Sequence, residues 1–201
     1  MALAAVVFDV GETLVDEERW WRELCARAGL QPHVVWAALG VTIERGEEHD
    51  ELWRHLGIEK PLGWWNDLTY SVDDLYQDAL DCLYGVRELG LRVGIVGNQT
   101  ESLEAWAHDA GLPADVISSS ASLGARKPDP AFFERVAALL GYAAPEIAYV
   151  GDRVDNDVLP ALRAGMTAVH IRRGPWGRVR ETPLDAIAID SLDEVPEAVV
   201  G

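Results

Sequence analysis

The sequence predicts an α/β protein built on a doubly wound parallel sheet, interrupted by a small helical insert. Three observations carry that expectation. Short apolar, β-branched runs recur along the chain, helical periods separate the later runs, and residues 16–75 show helical periods with no strand pattern between them. A chain of 201 residues has room for one domain plus an insertion. Surface scaling lets a chain of this size bury about 70% of the surface it exposes when unfolded. With 49% hydrophobic and 25% charged residues, such a core needs neither disulfides nor structural metal, and collagenous or disordered classes are excluded.

Leu3 to Phe8 is the first apolar run; it ends at Asp9 and reads as a buried parallel strand. Asp16 is then placed to cap a helix whose Trp20, Trp21, Leu24 and Ala28 share one face, stopped by Gly29. Pro32–Leu39 and Glu47–Leu56 read as two further helices. Six of the eight tryptophans, Trp20, Trp21, Trp36, Trp53, Trp64 and Trp65, fall in this insert. At helical spacing they read mainly as small-domain core. The adjacent pair Trp64–Trp65 is the better candidate for a substrate pocket, since helix neighbours cannot both face one core. Strands follow at Arg92–Val96, Asp115–Ile117, Ile147–Val150 and Thr167–Ile171, with an added edge strand at Ala186–Ile189. Helices are expected over Ser102–Ala110, Pro130–Leu140 and Asp157–Ala164. The expected division is a core of residues 1–15 and 76–201 around a helical cap of residues 16–75.

Seventeen basic residues stand against 34 acidic ones, a net charge of −17. Such a chain repels nucleic acid and anionic lipid, so neither is an expected partner. It also repels phosphorylated substrates, so phosphate chemistry here requires a metal or a well-placed lysine. The N-terminal MALAAVVFDV has no basic leader and no apolar run approaches the roughly 18 residues needed to span a bilayer. The expectation is a cytoplasmic monomer or homodimer. Cys25 and Cys82 form no CxxC pair and read as buried, inert thiols; the five histidines show no metal spacing. Arg172, Arg173, Arg178 and Arg180 form the one basic cluster, read as a solvated or oligomer-forming loop.

The informative residues stand where the strands end, which is where ligands bind in this architecture. Asp9 follows the first strand in Asp9-Val10-Gly11-Glu12-Thr13-Leu14, and a carboxylate there serves as a nucleophile or as a ligand for a hard cation. Gly97-Asn98 ends the second and offers backbone N–H groups and an amide. Lys127 precedes a helix start in Lys127-Pro128-Asp129-Pro130. Gly151-Asp152 ends the fourth-motif strand, with Asn156 and Asp157 just beyond. Asp152 and Asp157 are spaced to cluster with Asp9. Singly, each motif has a bland explanation as a cap or turn; four in this order do not.

That order resembles the haloacid dehalogenase superfamily over nearly the whole chain, from VVFDVGETL through GIVGNQT and RKPDP to GDRVDND. The resemblance implies a Rossmann-like core whose helical cap is inserted after the first strand. It further implies Asp9 as nucleophile and Mg²⁺ held by Asp9, the Gly11 carbonyl and Asp152, with Asp157 supporting the metal directly or through water. Lys127 would neutralise the Asp9–phosphate cluster, and Gly97 and Asn98 would contact the transferring group. Two departures stand out. Phosphatases of the superfamily carry a second Asp where this chain has Gly11, which makes Glu12 the substitute acid. They also carry Ser or Thr where this chain has Gly97.

The leading expectation is therefore a Mg²⁺-dependent phosphomonoester hydrolase that works through an aspartyl-phosphate on a small phosphorylated metabolite. A hydrolytic 2-haloacid dehalogenase is the first alternative, opposed by the retention of both Asp152 and Asp157. A non-catalytic module that binds phosphate or a partner is the second.

Overall fold

An unbroken apolar run can be a strand only where both its faces are covered, and β1 (Ala5–Phe8) is buried at all four positions. The computed structural model describes residues 2–61 and 69–200. Among these residues the chain forms two compact units, one of residues up to 16 with those from 70 onward, the other of residues 17–69.

In the larger unit, β1 lies at the centre of a six-stranded parallel sheet of order β3-β2-β1-β4-β5-β6. The other strands are β2 (Arg92–Gly97), β3 (Val116–Ser119), β4 (Ile147–Gly151), β5 (Thr167–Ile171) and β6 (Ile187–Ile189). Side chains alternate between the faces with period two. Val6 and Phe8 join Val93, Ile95 and Val150 on one side, whereas Ala5 and Val7 join Phe132, Phe133, Val136 and Tyr149 on the other. Phe8 lies opposite Ile95 of β2 and Val150 of β4, so the three central strands end at nearly one level. The chain winds outward through β2 and β3, then returns to the other side of β1 for β4. The crevice beyond β1 and β4 is the topological switch point of the sheet.

Residues 17–69 supply helices α1 (Glu18–Ala28), α2 (Pro32–Arg45) and α3 (Glu51–His55). The core unit adds α4 (Ala79–Glu88), α5 (Ser102–Asp109), α6 (Ser120–Leu123), α7 (Pro130–Leu140), α8 (Leu159–Arg163), α9 (Gly174–Val179) and α10 (Val195–Ala198). None of the described helices is long and apolar enough to cross a membrane.

Several local expectations change. Asp16 does not cap α1: the helix begins after Glu17, and the Asp16 backbone N–H donates to Asp74 O at 2.8 Å. Cys25 replaces Ala28 on the buried face of α1, beside Trp20, Trp21 and Leu24. Residues 70–75, read from sequence with the insert, pack in the core unit through the Val15–Leu75 bridge and Tyr76 N–H donating to Leu14 O. The helix expected from Asp157 begins instead at Leu159, because Val154–Val158 forms a π-turn. Helix α4 begins after Asp78 with no side-chain cap hydrogen bond, so no clear start signal marks it in the sequence. Cys25 and Cys82 are buried free thiols. The Trp64–Trp65 pair lies outside the described residues.

Phe133 is fully buried under the sheet with its ring edge-on to Tyr149 at 5.3 Å. Phe133→Ala removes that packing and leaves a cavity, so unfolding in urea should show a loss of about 3–5 kcal/mol.

Candidate active site

The turn after β1 is closed by its own backbone. Leu14 and Val15 N–H groups both donate to Val10 O at 2.9 Å, and Glu12 N–H donates to Val15 O at 2.7 Å. Glu12 sits inside this turn at φ +52°, a left-handed conformation that costs a non-glycine residue about 1–2 kcal/mol. The turn directs Asp9 over the strand ends and leaves the Glu12 side chain buried.

Lys127 brings the separate motifs together. Its Nζ lies 2.6 Å from Asp9 Oδ1 and 2.5 Å from Asp157 Oδ1, with the lysine side chain only 3% exposed. The ammonium also stands over the rings of Tyr149, at 5.5 Å, and Phe132, at 5.9 Å. Burial alone would lower the lysine pKa, but the charges of Asp157 and Asp9 outweigh it and hold the group well above its ordinary value.

Asp9, Asp152 and Asp157 each offer a carboxylate oxygen within 4.8 Å of the others, and all three residues are buried. One ammonium does not balance three carboxylates at this separation. Burial, reinforced by the charges of Asp157, Asp9 and Glu12, pushes the Asp152 carboxyl well above the carboxylate range. Burial also raises Asp157, to about 6, against the opposing pull of Lys127. Both Asp157 oxygens are engaged, Oδ1 by Lys127 and Oδ2 by the Arg153 backbone N–H at 2.9 Å. The π-turn at Val154–Val158 makes this possible by folding Asp157 back onto its own loop.

Asn98 finds partners other than those expected. Its Oδ1 accepts from Lys127 N–H at 2.8 Å and its Nδ2 donates to Lys127 O at 2.9 Å. The amide thus clamps the lysine's peptide and keeps one N–H for a ligand. Gly97 stands beside Asp9, and Gly11 lies in the β1 turn. Glu12 Oε2 accepts from the Tyr76 hydroxyl at 2.5 Å, and this contact and the acidic environment follow burial in raising the tyrosine pKa.

Sequence reasoning missed most of the supporting shell. Arg173, expected in a solvated loop, is buried instead; it stacks on Tyr76 at 4.1 Å and donates to Asp78 Oδ1 at 3.0 Å. Arg172 and Arg178 do stay at the surface, both paired with Asp190. Arg153 stacks on Trp176 at 3.7 Å and binds Asp155. His170, buried on β5, has a lowered pKa through burial. As a neutral ring it donates from Nε2 to the Asp152 carbonyl at 3.0 Å and accepts at Nδ1 from Thr182 at 2.7 Å. Tyr149 lies in the fully buried β4, but nothing in the sequence aims its ring at Lys127.

Chemically, the site offers a buried carboxylate of the type that can act as a nucleophile, a fixed positive charge and an all-oxygen acidic cluster of the type that suits a hard cation. Residues 3–165 match the family described as haloacid dehalogenase-like hydrolase. The chain is 30% identical over 202 aligned positions to a glyceraldehyde 3-phosphate phosphatase of Methanopyrus kandleri, covering 87% of this chain and 86% of that protein. Among solved structures, a HAD phosphatase from Thermococcus onnurineus superposes with TM-score 0.67 at 26% identity, over 99% of both chains. An L-2-haloacid dehalogenase from Xanthobacter autotrophicus shares the fold at TM-score 0.70 and 21% identity, over 100% of this chain and 99% of that one. Motif order, sheet topology and sequence agree, and the chain belongs to the haloacid dehalogenase-like hydrolases.

Proposed function

We propose that the protein is a Mg²⁺-dependent phosphatase that hydrolyses small phosphorylated metabolites through an aspartyl-phosphate on Asp9. The observation that carries this reading is the shared buried ammonium of Lys127 between Asp9 and Asp157, beside the uncompensated carboxyl of Asp152. Relatives named as phosphatases support the phosphate ester, and those named for glyceraldehyde 3-phosphate support a small metabolite.

The donor set fits magnesium. Its members are oxygens, they are buried, and their combined negative charge exceeds what Lys127 balances. Asp9, Asp152 and the Gly11 carbonyl would hold the ion, with Asp157 orienting the site from behind because both its oxygens are already engaged. When bound, the ion would offset the repulsion between Asp9 and a phosphate dianion and draw charge from the phosphoryl oxygens.

The chain's own residues account for the remaining steps. Asp9 attacks phosphorus, the Asp9 O–P bond forms and the bond to the leaving oxygen breaks. Lys127 stabilises the charge spreading over the equatorial oxygens. Water then cleaves the acyl phosphate, regenerating the Asp9 carboxylate and releasing inorganic phosphate. Asn98 keeps Lys127 in place and has one N–H left for the phosphoryl group, joined by backbone N–H groups near Gly97. With glycine at position 11, the proton for the leaving group comes from Glu12 or from solvent. Halide displacement needs no cation, so the buried acidic cluster favours the phosphatase over the dehalogenase reading.

Hydrolysis of an aryl phosphate should require Mg²⁺ and stop with chelator. Asp9→Asn should abolish it, a loss of at least about 10⁴-fold, whereas Lys127→Met should lower kcat by roughly 10²–10³-fold. Persistent turnover in Asp9→Asn would show that another group attacks. Asp152→Asn removes the cost of burying an ionisable carboxyl beside Asp157 and Asp9, so it should raise Tm in metal-free buffer by about 2–4 °C per kcal/mol relieved and eliminate the further rise that Mg²⁺ gives the unmodified protein. An unchanged Mg²⁺ response would place the ion elsewhere. Glu12→Gln should spare aryl phosphates and slow alkyl phosphates by up to about 10²–10⁴-fold; equal effects on both would remove Glu12 from proton transfer.

A further inference from the structure

Just past β4, one peptide is held from both sides. The strand stops at Gly151, opposite His170 of β5, so the ladder ends one residue short of Asp152. The Asp152 carbonyl accepts from His170 Nε2 at 3.0 Å. The N–H of the same peptide, that of Arg153, donates to Asp157 Oδ2 at 2.9 Å. A trans peptide is planar and points its C=O and N–H in opposite directions. The imidazole on one side and the Asp157 carboxylate on the other therefore fix the rotation of a single plane.

The line of contacts continues at both ends. Asp157 turns its other oxygen, Oδ1, to Lys127 Nζ at 2.5 Å, and that nitrogen meets Asp9 Oδ1 at 2.6 Å. At the far end, His170 Nδ1 lies 2.7 Å from Thr182 Oγ1. The surroundings of His170 do not call for a polar residue. It is fully buried, on the face of β5 shared by Ala168, which packs with Val158 and Ala161. An apolar side chain would fill this space and leave the Asp152 carbonyl without its donor, a costly state for a buried acceptor. A carbonyl only accepts, so the ring carries a proton on Nε2. Thr182 selects that tautomer by donating its hydroxyl to Nδ1.

We infer that His170 is a positioning residue for the acidic cluster: it holds the peptide that carries Asp152 and supplies the donor to Asp157, and Thr182 fixes the tautomer it needs. The inference rests on the reading of these acids as a cation site. Turning the peptide takes the donor from Asp157 and frees the backbone behind Asp152, so the two carboxylates no longer converge. Residues that orient the ligands of a metal ion without touching it typically change its affinity by about 10–100-fold.

Three variants of the full chain test this. His170→Met fills the space without a donor, His170→Gln brings an amide N–H towards the carbonyl, and Thr182→Val removes only the hydroxyl that selects the tautomer. In metal-free crystals, His170→Met should open the Arg153 N–Asp157 Oδ2 separation beyond about 3.5 Å. His170→Gln should keep that contact. Calorimetric titration with Mg²⁺ should show binding weakened by roughly 10–100-fold in His170→Met, weakened less in Thr182→Val, and largely restored in His170→Gln. A residue that merely fills the fold would lower the metal-free Tm of His170→Met and leave the Mg²⁺ dissociation constant where it was. That result, an unmoved peptide in His170→Met, or binding as weak in His170→Gln as in His170→Met would each overturn the inference. If His170→Met does not fold, Thr182→Val decides, and unaltered Mg²⁺ affinity there overturns it. The crystallographic arm needs no metal. An unmodified protein that takes up no Mg²⁺ would therefore count against the cation reading alone, and the position of the peptide would still decide the role of His170.

Discussion

The buried ammonium of Lys127 is the interaction on which the rest of the site depends. Two carboxylates from opposite ends of the chain, Asp9 and Asp157, approach within 2.6 Å of one nitrogen in a place that water barely reaches. Removing charges from water is costly, and the pairing repays that cost only with close geometry. Every neighbour of Lys127 serves that geometry. Asn98 fixes its backbone, Tyr149 and Phe132 lie against the ammonium, and the Tyr149 hydroxyl is tied across the sheet to Val96 O at 2.8 Å.

The sheet explains why such distant residues can meet. Placing β1 between β2 and β4, in register, brings the ends of three strands to one level and opens a crevice beyond them. Asp9, Gly97 and Asp152 then become neighbours through backbone pairing alone. Lys127 and Asp157 arrive from loops above the same edge. The acid excess that results is a strained arrangement by itself, as the raised Asp152 and Asp157 carboxyls show. Perturbed carboxyls of this kind cluster where a fold gathers charge for chemistry.

A second set of contacts supports the acidic turn from the side. Glu12 adopts a left-handed conformation, takes a hydrogen bond from Tyr76 and lies in the space that Gly174 leaves open. Arg173 stacks on Tyr76 and is fixed by Asp78, which also accepts from Ser191 and the Leu192 N–H. Residues from four separated stretches therefore determine where one glutamate points.

The sequence by itself determined the fold class, the order of the strands along the chain and the four motifs. These are local patterns: apolar runs of strand length, proline at the start of α7, and acids just past the ends of strands. Thr167–Ile171 and Pro130–Leu140 appear in the structure with the bounds their patterns gave, because pattern and environment agree there. Only the tertiary structure decided the rest. The π-turn around Asp157 arises from a side chain bonding back to Arg153 N–H, which no periodicity encodes. Arg173 looked like a surface charge because its counterparts, Tyr76 and Asp78, lie about a hundred residues earlier in the chain. Asn98 gave no sign that its amide would be used on a lysine peptide, and Gly97 gave none that its missing side chain makes room for Asp9. Such contacts are steric and non-local: they exist only once the strands are paired and the loops above them compete for the same few ångströms.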